Sequence, residues 1–153
     1  MVENSYPIIS FEHSTRFLFV SEGSKGKILK AISFDRLSNG KWNLGFGDLK
    51  NGQIDDEVIS NNQDIAKVLG AVAKAAFEFS EKYPERNIVI YPVDAKRKRL
   101  YNLVFQRRLP EITTVFEVLG EIAGRLKPYN PKKTYDSFEL IRKKFTFEAN
   151  FEK

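Results

Sequence analysis

Two Asn-Gly pairs, Asn39-Gly40 and Asn51-Gly52, constrain the fold of this chain more than any other feature. Both residue types tolerate the positive φ angles of a tight turn, and the pair is the strongest short-range signal of a β-hairpin. Between the pairs, residues 41–49 alternate large apolar side chains with small or polar ones, as a strand does. The chain is therefore predicted to fold back on itself twice within a few residues.

Neighbouring segments extend these two turns into a longer β structure. Residues 15–22 are rich in Phe, Leu and Val, and residues 27–36 have the two-residue period of a strand. Gly23 and Gly26 fit a turn between these two segments. A short fourth strand near residues 53–59 follows the second Asn-Gly pair. The first 60 residues are thus predicted to form an antiparallel meander.

The remaining residues predict helices alternating with strands. A capping-box pattern begins the first helix, with either Ser60 and Gln63 or Asn61 and Asp64 as its members, and Pro84 ends it. A buried central strand is predicted over residues 87–91, followed by a second helix over 96–109 that Asp94 caps and Pro110 ends. After this helix we expect a strand over 111–121, a loop over 125–133 and a last strand over 134–142.

This order of elements predicts an α+β fold in which two main helices pack on a mostly antiparallel mixed sheet. The length fits a single domain that spans residues 1–153. Residues from about 144 to 153 alternate aromatic and polar side chains, and are predicted to form either a frayed tail or an added edge strand.

The composition excludes several kinds of site. The chain has no cysteine and one histidine, His13, so disulfides, zinc–thiolate sites, cysteine nucleophiles and any site with two imidazoles are excluded. No basic segment followed by an apolar run begins the chain, and no apolar run approaches the roughly 18 residues of a spanning helix. We therefore expect a cytoplasmic protein with no membrane partner, and the leading interpretation needs no metal and no cofactor.

The main candidate site is the second helix, where residues 96–108 carry six basic side chains and no acidic one. One face would anchor this helix to the sheet, and it is predicted to consist of Leu100, Tyr101, Leu103, Val104 and Phe105. The positive end of the helix dipole makes four cations in the first turn unfavourable, so their presence favours a bound anion at this position. The alternative interpretation is a basic helix that only faces solvent. The predicted anion-binding residues are Lys96, Arg97, Lys98, Arg99, Arg107 and Arg108.

Two glycines on one face of the third predicted strand, Gly45 and Gly47, leave a trough in the sheet. Such a trough can admit a ligand close to the backbone, so the pair is a candidate ligand groove. It can equally accommodate a closely packed helix or a bulge, which is the favoured explanation. No glycine-rich nucleotide fingerprint and no phosphate-loop lysine lies nearby.

Acidic and aromatic clusters are weaker candidates. Asp48, Asp55, Asp56 and Glu57 are interpreted as polar turn residues, with magnesium binding or acid–base chemistry as the alternative; Lys50 occupies a position where a calcium loop needs an oxygen ligand. Basic and aromatic residues mix near the C-terminus, where an aromatic-rich edge is favoured over stacking on single-stranded nucleic acid. The residues concerned are Tyr129, Tyr135, Phe138, Phe145, Phe147 and Phe151, with Lys132, Lys133, Arg142, Lys143 and Lys144.

The runs WNLGFGDL, IDD, SNNQD, FSEKYP and RLYNLVF resemble an uncharacterised bacterial family of about this length, a domain of unknown function. This resemblance covers nearly the whole chain and implies a one-domain bacterial protein without an established activity.

The element order is also similar to that of the acetyl-CoA-dependent N-acetyltransferase superfamily. That resemblance implies an acyl-CoA cofactor and makes Tyr101, in RLYNLVF, the general acid that protonates the departing thiolate. The chain departs from the superfamily at the pyrophosphate loop, where SNNQDIAK contains no glycine.

Three functional hypotheses follow. The leading one is a non-catalytic binding or regulatory module that contacts an anionic partner, nucleic acid or an acidic protein, through the basic helix. The first alternative is an acetyltransferase-like enzyme that uses coenzyme A. The second alternative is a component of a toxin–antitoxin-type pair, for which the chain offers no direct motif. The oligomeric state stays open.

Overall fold

The structure, a computed structural model, describes residues 4–55 and 64–144. Nine strands in these ranges form one sheet, in the order β1-β2-β3-β4-β6-β9-β7-β8, with β5 paired beside β4. The β4–β6 pair is parallel and the other pairs are antiparallel. The elements are β1 (Ile9–Phe11), β2 (Arg16–Gly23), β3 (Gly26–Arg36), β4 (Trp42–Lys50), β5 (Gln53–Asp55), α1 (Ile65–Lys82), β6 (Ile88–Ile90), α2 (Ala95–Ile112), β7 (Phe116–Ile122), β8 (Arg125–Pro128) and β9 (Ser137–Arg142).

Both helices pack on the same face of this mixed sheet, which confirms the predicted α+β fold. In α1, the ring of Phe79 stacks on Phe34 of β3 with centroids 4.1 Å apart. In α2, Phe105 stacks on Phe138 of β9 at 4.2 Å. The strand registers place Phe34 and Phe138 on one side of the sheet. Aromatic rings therefore fill much of the layer between helices and sheet.

Small residues let α1 approach its neighbours closely. Ala71 and Ala75 are fully buried. A Cβ at Gly70 would lie only 3.0 Å from the carbonyl oxygen of Asn4, so the N-terminal segment crosses the helix at a position that requires glycine. Such contacts tie the start of the described chain to α1.

The predicted hairpins are confirmed, with one difference in loop length. Asn51 and Gly52 have φ angles of 52° and 77° and form a two-residue turn between Lys50 and Gln53. At the other pair, the Leu37 N–H donates to the carbonyl oxygen of Lys41 at 2.8 Å, so that loop holds three residues. Gly40 supplies the positive φ angle there.

Helix α2 is kinked near the end that its sequence predicts. The element spans Ala95–Ile112, and Arg108, where φ is −107° and ψ is 16°, breaks the regular helix two residues before Pro110. A second, short helical segment contains Pro110, which fits there because the first turn of a helix needs no proline N–H. Starting the next strand at residue 111 was wrong, because β7 begins at Phe116.

Two strands were missed in the sequence. Strand β8 occupies part of the predicted 125–133 loop, and Ala123 and Gly124, with φ angles of 51° and 80°, form the turn that leads into it. Strand β1 at the opposite edge is only three residues long. Residues 56–63, with the capping-box residues Ser60–Gln63, and the tail 145–153 lie outside the described residues.

Asp64 precedes α1 but does not cap it with its side chain. Its carboxylate instead accepts hydrogen bonds from the hydroxyls of Tyr6 and Ser21, each at 2.5 Å. Burial, followed by the hydrogen bond to Asp64, raises the pKa of Tyr6 above its usual value. Neither helix within the described residues is both long enough and apolar enough to cross a membrane.

Candidate functional site

The candidate site lies where the two parallel strands of the sheet separate. Strands β4 and β6 pair only at Trp42 with Ile88 and at Asn43 with Val89. Strand β4 continues to Lys50, whereas β6 ends at Ile90 and the chain turns away into α2. A parallel pair that diverges in this way opens a crevice at the carboxyl ends of its strands, where α/β sheets commonly bind ligands.

A cavity of about 560 Å³ occupies this crevice, and we call it the β4–β6 cleft. Strand β4 lines it with residues that include Gly45, and the segment after β6 and the first turns of α2 line it as well. The lining residues include Gly45, Leu49, Phe11, Glu12 and Ile54, the pair Arg16 and Asp35, and Tyr91, Val93, Arg97 and Tyr101.

Arg97 is the charged side chain that α2 places in the β4–β6 cleft. Asp94 caps this helix, as predicted: its Oδ1 accepts the Arg97 backbone N–H at 2.7 Å, and its Oδ2 accepts Nη1 of the guanidinium at 3.1 Å. The cap thus fixes both the backbone and the side chain of Arg97. Only 4% of Arg97 is exposed.

The guanidinium of Arg97 is incompletely satisfied. Its Nη2 is buried and has no hydrogen-bond partner among the described residues. A buried donor without an acceptor costs about 1–3 kcal/mol, and more when the group is charged. Asp94, its one ion-pair partner there, keeps 44% of its own side chain exposed and reaches only Nη1. An acceptor entering the cleft would remove this cost.

Tyr101 follows Arg97 by four residues, so the two side chains share one face of α2. Tyr101 is largely buried and lines both the β4–β6 cleft and the layer between helices and sheet. The structure therefore brings together three predicted site residues, namely Arg97, Tyr101 and Gly45. Gly47 is buried on β4 opposite Ala31, and a Cβ at Gly45 would lie 2.9 Å from Oγ of Ser33.

The other predicted cations lie in different surroundings. The Lys98 ammonium pairs with Asp136 at 2.7 Å. Arg108 contacts Glu111 at 3.3 Å and donates to the carbonyl oxygen of Ala66 at 3.0 Å. The exposed cations of the basic stretch are Lys96, Arg99 and Arg107. The four cations of the first turn are thus divided among a cleft, a surface ion pair and solvent. Leu103, predicted to face the sheet, is 40% exposed, so its place on the anchoring face was wrong.

Two hydrogen-bond donors near Asp136 change the pKa of its carboxyl group. A hydrogen bond from Lys98 and a second from the Ala123 N–H lower the pKa of the Asp136 carboxyl below its usual value. This surface pair joins α2 to the segment before β9.

Neither weaker candidate forms a site within the described residues. Asp48 is buried and bonds the ammonium of Lys30 at 2.5 Å, and no group of metal-binding side chains occurs in the described ranges. The rings of Tyr135 and Phe138 are buried, which removes them from any stacking surface. Burial also raises the pKa of Tyr129. The side chain of Asp55 and all of Asp56, Glu57, Phe145, Phe147 and Phe151 lie outside the described residues.

The sequence reasoning missed the residues that complete the β4–β6 cleft. Tyr91 and Val93 directly follow the buried strand β6 and remain 48% and 62% exposed. Their position after a central strand was a usable signal, because ligands bind beyond the carboxyl ends of such strands. Arg16 and Asp35 pair across β2 and β3 at 2.6 Å, a contact that only the strand register discloses.

Comparison with known proteins identifies the family but brings no activity. Neither the curated proteins nor the solved structures contain a match to this sequence. A family model described as "Family of unknown function (DUF6934)" matches residues 2–144, nearly the whole chain. The predicted resemblance to a family of unknown function is thereby confirmed, and the chain belongs to this family.

Proposed function

We propose that this protein is a non-catalytic binding module whose ligand is a small anion held in the β4–β6 cleft. The observation that carries the proposal concerns Arg97, a residue of the cleft lining whose buried guanidinium keeps Nη2 without a partner among the described residues. Replacing a buried, incompletely paired charge with an apolar side chain of similar size often stabilises a protein. The presence of Arg97 at this position therefore favours a role in binding.

The surroundings of Arg97 support an anion in particular. Lys96 and Arg99 are exposed on the same turn of α2 and add positive potential at this end of the helix. Two of the first-turn cations already have carboxylate partners, Asp94 for Arg97 and Asp136 for Lys98. Nη2 of Arg97, which no described residue contacts through a hydrogen bond, is therefore the best-defined point of attachment in the basic stretch.

A thermal-shift panel of small anions tests this proposal. Acetate, inorganic phosphate, pyrophosphate and medium-chain carboxylates are added to the wild-type protein, to Arg97→Met and to Lys96→Met. We expect at least one anion to raise the melting temperature of the wild type and of Lys96→Met, because a ligand that binds the native state stabilises it. Arg97→Met should not respond. Equal responses of all three proteins, or no response of any, would contradict the proposal.

The acetyltransferase-like alternative rests on a separate observation. The parallel β4–β6 pair diverges, and Tyr101 lines the resulting cleft, where it could serve as an acid. Under this alternative, coenzyme A at millimolar concentration should raise the melting temperature, and Tyr101→Phe should abolish acyl transfer while preserving that shift. No shift with coenzyme A would rule the alternative out.

A further inference from the structure

The charges and walls of the β4–β6 cleft point to a particular class of ligand. Resting on the proposed anion binding, we infer that the ligand is a monocarboxylate with a compact apolar body, and neither a polyphosphate nor a nucleic acid. The carboxylate would bind Nη2 of Arg97, and the apolar body would lie over Gly45 within the cleft.

The balance of charge in the cleft favours a single negative charge. Among the described residues, the lining contains two cations, Arg16 and Arg97, and two carboxylates, Glu12 and Asp35. Arg16 is already engaged, since its Nη2 binds Asp35 at 2.6 Å and its Nη1 donates to the carbonyl oxygens of Thr15 and Phe34. Nη2 of Arg97 is therefore the cationic donor of the lining that has no partner within residues 4–55 and 64–144, which matches one carboxylate oxygen.

A phosphate group fits this balance poorly. Phosphate recognition normally joins several cations or backbone N–H groups around a charge close to −2. Here Asp94 already binds Nη1 of Arg97, and its carboxylate would repel a dianion placed at Nη2. Glu12, a second carboxylate of the lining, adds negative charge to the cleft. A monoanion meets the donor with the least repulsion from these carboxylates.

The walls of the cleft favour an apolar body on that carboxylate. Phe11, Tyr91 and Val93 line the cleft and are 43%, 48% and 62% exposed, so each presents apolar surface to water there. Leu49 and Ile54 line it as well and are half-buried. Covering this surface is favourable, and each methylene that becomes buried tightens binding about fourfold.

A series of matched compounds tests the inference by isothermal titration of the full chain. The carboxylates are acetate, butyrate, hexanoate and octanoate; hexanamide has nearly the same shape without charge, and pyrophosphate is the polyanion. We expect affinity to rise about fourfold for each added methylene until the cleft is filled. Hexanamide should bind at least tenfold more weakly than hexanoate, and pyrophosphate should not bind.

Variants locate the binding. Arg97→Met should remove the difference between hexanoate and hexanamide, whereas Lys96→Met should preserve it. Val93→Ser, in the cleft wall, should weaken hexanoate about threefold or more. Leu126→Ser, a matched control at a residue of β8 that is 43% exposed, should have no effect. Equal losses from both Ser variants would overturn the placement of the apolar body.

The possible results distinguish the inferred ligand class, a monocarboxylate, from the proposed function, anion binding in the β4–β6 cleft. If pyrophosphate binds more tightly than every carboxylate and does so through Arg97, the ligand class is wrong while anion binding in the cleft stands. If hexanamide equals hexanoate in the wild type, the carboxylate assignment is wrong. If no anion binds through Arg97, both the inference and the proposed function fall.

Discussion

Helix α2 buries two polar side chains that differ in how well they are satisfied. Asn102, which is 5% exposed, donates its amide hydrogens to the carbonyl oxygens of Lys98 and Tyr135 at 2.8 and 2.9 Å. Its amide oxygen accepts the Tyr135 N–H at 2.8 Å. Arg97, five residues earlier and equally buried, leaves one guanidinium nitrogen without a partner among the described residues.

This difference distinguishes a residue that holds the fold from one that is available for a ligand. Asn102 satisfies both backbone groups of Tyr135 just before β9, so it fixes α2 to the sheet. Buried polar groups in native proteins are nearly always paired, and the described residues hold three that are not: Nη2 of Arg97, Oε1 of Glu111 and the hydroxyl of Tyr129. Of these three residues, Arg97 lines the β4–β6 cleft, and unsatisfied groups that lower stability are typical of binding sites.

The largest effect is expected from Asn102→Ala. The substitution leaves two buried backbone groups of Tyr135 without partners and should lower the free energy of unfolding by about 3 kcal/mol. For a chain of this length the melting temperature should fall by roughly 6–12 °C. Urea denaturation measures the loss, and Leu103→Ala, on the exposed side of the same helix, should change it by less than about 1 kcal/mol. Equal effects of the two substitutions would contradict a structural role for Asn102.

A much smaller change in stability is expected from Arg97→Met. Methionine fills much of the same space without a buried charge, and Oδ1 of Asp94 still caps the backbone N–H at position 97. Because Asp94 is partly exposed, water can replace the lost ion pair. The free energy of unfolding should therefore change by less than about 1 kcal/mol. A loss as large as that of Asn102→Ala would mean that Arg97 is structural.

The smallest effect concerns the surface pair of Lys98 and Asp136, which also joins α2 to the segment before β9. The folded-state pKa of Asp136 is lowered, so its contribution to stability is complete above the pKa of the unfolded chain and is lost as pH falls through the lower folded value. The wild type should lose slightly more stability than Asp136→Asn between about pH 5 and pH 2. Urea denaturation across that range measures the difference, and parallel curves would contradict it.

Some parts of the fold could be predicted because the conformational preferences of a few adjacent residues determine them. The Asn51-Gly52 turn and the Asp94 cap depend on a few adjacent residues whose conformational preferences are strong. Strand β8 could not be predicted, because Ala123-Gly124 carries a weaker turn signal and the strand depends on pairing with β7. The short helical segment after the break at Arg108 was missed, because a proline in the first turn of a new helix looks in the sequence like the end of the previous one.

The candidate site was predictable in part. The charge of the KRKR run marked the right turn of α2, but charge alone could not distinguish a buried Arg97 from an exposed Lys96 or Arg99. Helical spacing could have done so, because Arg97 precedes the buried Tyr101 and Phe105 by four and eight residues on one face. The cleft itself depends on where β4 and β6 stop pairing, which is a long-range property of the sheet.

The central claim is that Nη2 of Arg97 is held ready for an anion, and a crystal structure of the protein with hexanoate tests it most directly. We expect one carboxylate oxygen to lie about 2.9 Å from Nη2, with the alkyl chain over Gly45. A structure in which Nη2 donates to another atom of the protein, with hexanoate bound elsewhere or not at all, would contradict the claim.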